Sequence, residues 1–500
     1  MVAFIFSATL HRYLLVFAAL LALAAESAEA TILTVGAIDG NGAACTLADA
    51  ITAANTNTTT GGCPAGSADD TVELTGDVIL TEALPVVMSD CRYYPAPCVQ
   101  TRITINGHGH SIARSIDPNT PVFDLLSLLV ICGDGFYAVP PSVTLNGVAL
   151  KHGQTGISLR SRTTGLECPP SLVLTNSRVS GNSGDGISAR LASVHVTNST
   201  IADNGGRGIN GYAADIDVTD GTIANNADRG ILALGGNVFE RSGRLSVTNS
   251  TLVGNTGGGI EFASLRATLV NSTVSGNGNA TATGGGIHQT PSNYEQMARL
   301  TLTNTTVSNN VAELGGGFYH DARKNVWYDN VNAIWHADET TLINSIIADN
   351  TGGDCVSSTT SPPIAFVGQN LIEDGSCFDA SHPNPPLIGD PKLGPLQDNG
   401  GPTLTHALLE GSLALDRIAV VYDVKGNPLG CEGTTDGVTL GVVTDQRGVS
   451  RPRPRDGFCD IGAFELALLP SDKDECKNGG YKEFGFKNLG QCIRYVNTGK

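Results

Sequence analysis

Small polar residues and aliphatic residues recur along this chain in a register that repeats. LVLTNSRVSGNSGDGI from Leu172, VHVTNSTIADNGGRGI from Val194 and LSVTNSTLVGNTGGGI from Leu245 align without a gap. Taking the first polar turn residue as anchor, the units fall at Asn176, Asn198, Asp220, Asn249, Asn271, Asn304 and Asn344, spaced by 22, 22, 29, 22, 33 and 40 residues. An aliphatic stands two residues before each anchor (Leu174, Val196, Val218, Val247, Leu269, Leu302, Leu342) and another three after it (Val179, Ile201, Ile223, Leu252, Val274, Val307, Ile347). Isoleucine recurs eleven after four of the first five anchors, at Ile187, Ile209, Ile231 and Ile260. Six after each anchor comes a second asparagine: Asn182, Asn204, Asn226, Asn255, Asn277, Asn310 and Asn350.

A unit of 22 residues is too short for a pair of helices and carries no helical i, i+3, i+4 stripe. Alternating β-branched residues interrupted by Asn and Gly predict short strands joined by tight turns. Coils of this kind stacked about 4.8 Å apart place like strands in parallel register and like aliphatics in one continuous core. The expected fold is therefore all-β, a right-handed parallel β-helix of the pectate-lyase-like solenoid type. The second asparagine row is expected to form an amide ladder, each side chain donating to and accepting from its neighbours. The Gly-Gly-Gly-aliphatic or -aromatic runs at 257–260, 284–287 and 315–318 are expected to supply positive φ at a bend. Looser coils are expected around Ile103–Asn106 and Val143–Asn146.

Composition agrees with an array. The 500 residues include 61 Gly, with only 5% aromatic and 16% charged residues, yet 41% hydrophobic. That apolar content exceeds what a disordered chain carries. A net charge of −18 argues against nucleic acid as a main partner, which requires a basic footprint. Residues 1–30 read as a secretory leader: His11 and Arg12, an apolar run from Leu14 to Ala25, then Ala28-Glu29-Ala30 as a cleavage site. The run is shorter than the ~20 residues of a membrane span, and no transmembrane segment is expected in the mature chain. Twelve cysteines fall into six sequence-near pairs: Cys45 with Cys63, Cys91 with Cys98, Cys132 with Cys168, Cys355 with Cys377, Cys431 with Cys459, and Cys476 with Cys492. That spacing reads as disulfides in an oxidising, extracytoplasmic compartment. The last would close a loop worth roughly 3 kcal/mol.

The flanks resemble a known group. ACTLADAITAANTN (Ala44–Asn57) resembles the N-terminal Cys-Ser-Leu-Arg-Asp/Glu-Ala motif of bacterial exported β-helix proteins: Cys45, Leu47, Asp49 and Ala50 match, while Thr46 replaces Ser and Ala48 replaces Arg. Read from the residues, Thr46 before an Ala-rich stretch predicts a capped amphipathic helix over the open end of the first coil. LGPLQDNGGPTLTHALLEGSLALD (Leu393–Asp416), TDQRG (Thr444–Gly448), Arg451-Pro452 and CDIGAFE (Cys459–Glu465) resemble the choice-of-anchor Q group, with Leu413 where Pro is usual and Arg417 where a small residue is usual. The glycine runs are also similar to chlamydial-type polymorphic outer-membrane repeats. The resemblance implies a bacterial exported or cell-surface solenoid with variable C-terminal attachment, and implies no chemistry. It divides the mature chain into an N-terminal cap with the first coils (31–102), repeats (103–390), a cap motif with Arg–carboxylate pairs (391–466) and a disulfide-looped tail (467–500).

Candidate chemistry is sparse. The calcium-binding GGxGxDxUx pattern, Cys/His metal spacing, P-loops, dinucleotide fingerprints and nucleophile triads are not evident, so no cofactor or metal is expected and no catalytic residue is assigned. The 40-residue interval between Asn304 and Asn344 holds an insertion of about 18 residues with both tryptophans of the chain. Tyr319, His320, Asp321, Arg323, Lys324, Trp327, Tyr328, Trp335, His336 and Asp338 in it are candidates for glycan contact, aromatic faces stacking on sugar and charged groups orienting it. The expected function is a non-enzymatic surface or secreted protein for adhesion or polysaccharide contact, with polysaccharide or a surface protein as partner. A lyase or hydrolase using 318–338 is the alternative, and a structural spacer the third.

Overall fold

A computed structural model describes residues 31–35, 45–67, 69–90, 101–131, 140–161, 169–236, 242–291, 297–328, 333–378, 381–422, 428–431, 434–435, 438–439, 443–451, 458–466, 470, 472–483 and 487–498. The leader lies outside the described residues.

The alternation of aliphatic and polar positions becomes strands one coil apart in register, since a one-residue slip would turn every aliphatic outward. Each coil runs through a strand of a first sheet, such as Ser171–Thr175, a short strand of a second, such as Arg178–Ser180, and a strand of a third, such as Ile187–Arg190. Stacked, these form three parallel sheets of 12, 11 and 10 strands among the described residues. Leu174 pairs with Val196 and Val196 with Val218; Ile187 pairs with Ile209, and Ile209 with Ile231. All of these residues are buried in one cluster that runs the length of the rod. The chain is a right-handed parallel β-helix.

The two asparagine rows have different physics. Anchors Asn176, Asn198, Asp220, Asn249, Asn271, Asn304 and Asn344 all have φ between 45 and 51°, the left-handed region that Asn and Asp tolerate best. They turn the chain from the first sheet to the second. The second row is the ladder. Asn182, through backbone N and Nδ2, donates to Oδ1 of Asn204, and the pattern continues through Asn226, Asn255, Asn277, Asn310 and Asn350. Its last acceptor is a carboxylate: Asn350 donates from N and Nδ2 to Asp354 Oδ1 at 3.1 and 3.0 Å. A parallel hydroxyl ladder, not expected from the sequence, uses the residue after six of the seven anchors, as where Ser177 N donates to Ser199 Oγ at 3.0 Å, while Gly221 after Asp220 only donates, to Ser250 Oγ at 3.0 Å.

Each glycine run supplies one positive φ, at Gly258, Gly284 and Gly315. The last glycine of each run is required by space: a Cβ at Gly259, Gly286 or Gly317 would collide with the carbonyl oxygen of Gly286, Gly317 or Asp354 in the next coil. Those glycines let the backbone pass beside the ladder.

Helix Leu47–Thr56 forms as its cap residue predicts. Thr46 Oγ1 accepts from Asp49 N at 3.1 Å, Asn57 ends the helix with φ 52°, and Leu47, Ala50, Ile51, Ala53 and Ala54 are buried in the same core as the first coils. Four of the expected disulfides are present, Cys45–Cys63, Cys355–Cys377, Cys431–Cys459 and Cys476–Cys492. The other two expected pairs, Cys91 with Cys98 and Cys132 with Cys168, lie outside the described residues. In the tail, Cys476–Cys492 links the turn before helix Gly480–Glu483 to helix Leu489–Thr498.

Described residues of the C-terminal segment, among them Leu404, Gln446 and Ala463, lie against the outer face of the second sheet. Thr251 Oγ1 donates to Leu404 O, Thr273 Oγ1 donates to Gln446 Oε1 at 2.7 Å, and Ala463 N donates to Thr306 Oγ1 at 3.0 Å. The outward Thr row of the repeats supplies the partners. Within this segment Arg447 pairs with Asp445 at 2.6 Å and lies 3.7 Å over the Phe464 ring, while buried Arg451 pairs with Glu465 at 3.5 Å. Burial raises the carboxyls of Glu465 and Asp460, against the opposing charge of Arg451.

Candidate functional site

The insertion is a hairpin. After strand Phe318–His320 the chain leaves its coil, pairs Lys324–Tyr328 with Ala333–Ala337 in antiparallel fashion, and rejoins the first sheet at Glu339–Ile343. Asp338 holds its base: buried, it accepts Ala298 N at 2.8 Å on Oδ1 and Arg323 N at 3.0 Å on Oδ2. His320 points into the coil interior, fully buried, with Nδ1 3.1 Å from Ser357 Oγ, and burial pushes its imidazole down to about 4. Both serve the fold rather than an exposed site. Asp321 is half-buried and Arg323 exposed at the foot of the hairpin. The side chains of Lys324, Trp327, Tyr328, Trp335 and His336 lie outside what is described; their backbone register pairs Trp327 with Ile334 and Trp335 with Val326.

Among the candidates whose side chains are described, Tyr319 joins a larger constellation. In the third sheet it sits in register with His288, and His288 with Glu261, on the outward row. The Tyr319 and His288 rings are 5.2 Å apart and tilted by 39°. His288 Nδ1 lies 3.7 Å from Glu261 Oε2, and Arg229 Nε pairs with the same carboxylate oxygen. Arg229 also donates from Nη2 to Thr283 O at 3.2 Å. One coil back, Arg207 Nε is 3.1 Å from Asp228 Oδ2, and Asp185 accepts Arg207 N and Asn210 Nδ2, each at 2.8 Å. Farther along the strands Arg190 lies 4.3 Å over the Tyr212 ring.

Electrostatics give these groups definite states. Burial would raise the Glu261 carboxyl, but the His288 imidazole and the Arg229 and Arg207 charges outweigh it and hold the group below its ordinary value. Burial, with the nearby Asp321 charge, pushes the Tyr319 phenol up. A carboxylate held ionised and a phenol held protonated provide an acceptor and a donor, not an acid poised to give up a proton near neutrality. Arg229 Nη1 and both ring nitrogens of His288 have no hydrogen-bond partner among the described residues. These three nitrogens are themselves buried, so what the row presents to solvent is the Glu261 carboxylate and the Tyr319 ring.

Sequence reasoning missed Arg207, Arg229, Glu261 and His288. A signal was available: Arg207 and Arg229 stand nine after their anchors and Glu261 twelve after its own, flanking the inward isoleucine. The repeat discloses them only when its outward positions are scanned for departures from Ser, Thr and Asn.

A family model described as a right handed beta helix region matches residues 155–333. Comparison with curated proteins gave no match. Among solved structures, the chain is similar to XylC in complex with xylose, at 12% identity and a TM-score of 0.42, covering 73% of this chain and 65% of that one. It is also similar to pectate lyase Pel9A, at 12% identity and a TM-score of 0.44, over 88% of this chain and 97% of that one. A third likeness is to the Agl-KA catalytic domain, at 15% identity and a TM-score of 0.35, over 68% and 63%. At these identities and scores the likenesses assign no activity to this chain. Among the described residues no helix is long and apolar enough to cross a membrane.

Proposed function

We propose that this protein is an extracytoplasmic β-helix that binds neutral polysaccharide, without cleaving it, on the outer face of its third sheet beside the hairpin. The observation that carries the reading is the Arg229–Glu261–His288–Tyr319 cluster, which brings an ionised acceptor and an aromatic ring onto successive coils. Sugar hydroxyls are both donors and acceptors, and such a row can serve both while the ring packs on an apolar sugar face. Arg207 and Arg229 are each tied to a carboxylate, so the face is close to charge balance on a chain of net −18. That favours hydroxyl-rich glycans over polyanions, which the overall field repels. The sequence leader and the disulfides support placement outside the cytoplasm.

The test is retention of the mature chain on neutral and acidic polysaccharides, with assays for new reducing ends and for unsaturated uronates. Retention on a neutral polymer without product is expected. His288→Ala combined with Tyr319→Ala should weaken it by about tenfold or more, the scale of one lost stacking or charge-assisted contact, with an unchanged melting temperature. Product release would make the face an active site, and unchanged retention by the double variant would remove this row from binding.

A further inference from the structure

We infer a second binding site, for a small carboxylate with an apolar body, in a cleft at the N-terminal end of the second sheet. Among the described residues, Leu404, Gln446 and Ala463 bond to the outer face of this sheet at Thr251, Thr273 and Thr306. Nearer the N-terminus lies an open cleft of about 270 Å³ with mainly apolar walls. Ile79 and Ala113 are neighbours in register on its floor, and Ile116 forms a wall; Ile79 is 53% and Ile116 79% exposed. Two large aliphatics left in water around one concavity are an unsatisfied apolar surface, whereas single exposed aliphatics would call for no account.

Charge at the rim gives the cleft its preference. Lys151 follows Ala113 in register, so its ammonium stands at the end of the apolar floor, where its charge also acts on the Asp77 carboxylate. Arg114 is fixed beside it, donating from Nε to His152 O at 2.8 Å and from Nη1 to Thr120 O at 3.2 Å. Those bonds hold the loop after Arg114 over the cleft and leave the guanidinium charge uncompensated. The one carboxylate in the lining, Asp77, is already occupied: Oδ1 accepts Ser111 N at 2.7 Å and Ser111 Oγ at 3.0 Å. A ligand carboxylate therefore meets Lys151 and Arg114 while its hydrocarbon body covers Ile79, Ala113 and Ile116. This site is on another sheet from the polysaccharide face and does not depend on it.

Phenylacetate and its neutral analogue 2-phenylethanol, titrated calorimetrically into the mature chain, distinguish charge recognition from hydrophobic capture. Phenylacetate should bind about tenfold more tightly than the alcohol, and Lys151→Gln should remove about that factor. Ala113→Leu, on an outward strand position, should fill the cleft and abolish binding of both at an unchanged melting temperature. Equal binding of acid and alcohol, indifference to both substitutions, or no binding of phenylacetate at about 10 mM, beyond the usual weak range, would each overturn the site.

Discussion

His320 and Asp354 sit near one another in the final coils and titrate with opposite consequences. Burial lowers His320 from 6.5 to about 4, so the stability tied to its neutral form is present above 6.5 and is lost as pH falls through about 4. Burial raises Asp354 from 3.8 to about 6 despite the bonds from Asn350, so the stability tied to its proton is present in full below 3.8 and is lost as pH rises through about 6. Between about pH 4 and 6 the two slopes oppose. Amide protection factors around Phe318–His320, taken against the intrinsic exchange rate at each pH, should therefore fall on acidification in Asp354→Asn, where only the histidine titrates, and rise in His320→Gln, where only the aspartate does. Parallel pH profiles in the two variants would show that neither burial governs this coil. At this scale the sequence marked His320 as a glycan candidate, because residue type does not disclose facing. Strand register alone turns Tyr319 out and His320 in.

At the scale of the element, the repeat rests on two ladders with unequal demands. Asn226 is fully buried, accepts from both nitrogens of Asn204 and donates to Asn255 Oδ1 and to Ile201 O. Replacing it with Ala leaves Asn204 N without its acceptor and takes one bond each from Asn204 Nδ2, Asn255 Oδ1 and Ile201 O, at a cost of about 2–4 kcal/mol. Asn198 is exposed, has a left-handed backbone and donates from Nδ2 to Asn176 Oδ1 at 2.7 Å where water can replace the bond, so Asn198→Gly should cost only about 1 kcal/mol. Urea unfolding followed by circular dichroism compares the two; similar losses would mean that the anchor row carries a hydrogen-bond load equal to the ladder. The period, the inward aliphatics and the ladder asparagines were legible because each is local to a coil and recurs. The hydroxyl ladder was not, because serine after an anchor reads equally well as an ordinary turn residue.

At the scale of the whole molecule, Gln446 makes the most side-chain bonds in the seam that Leu404, His406, Thr444 and Ala463 also form between the C-terminal segment and the rod. Its Nε2 donates to Thr251 Oγ1 at 2.9 Å, Thr403 Oγ1 at 2.8 Å and Leu404 O at 3.0 Å, while Oε1 accepts from Thr273. Gln446→Ala leaves several buried groups unpaired along one seam and lowers the local opening free energy by about 2 kcal/mol. Limited proteolysis within residues 391–466 should then quicken by more than about tenfold, with the strand signal of the rod unchanged. Equal resistance would mean that the Arg–carboxylate pairs and the Cys431–Cys459 bridge hold the segment without it.

By itself the sequence determined the solenoid: a 22-residue period, alternation that assigns each aliphatic to the interior, asparagines that cap every turn, and a threonine-capped helix against the first coils. These follow from interactions within one coil and between a coil and its copy, so each repeat restates them. Only the tertiary structure decided which outward residues meet. Arg229, Glu261 and His288 come from three coils separated by loops of unequal length, and the outward Thr row becomes an interface because a segment more than 150 residues away lies on it. Outward positions carry no core to fill, so nothing in their local pattern states whether solvent, sugar or the chain itself will cover them.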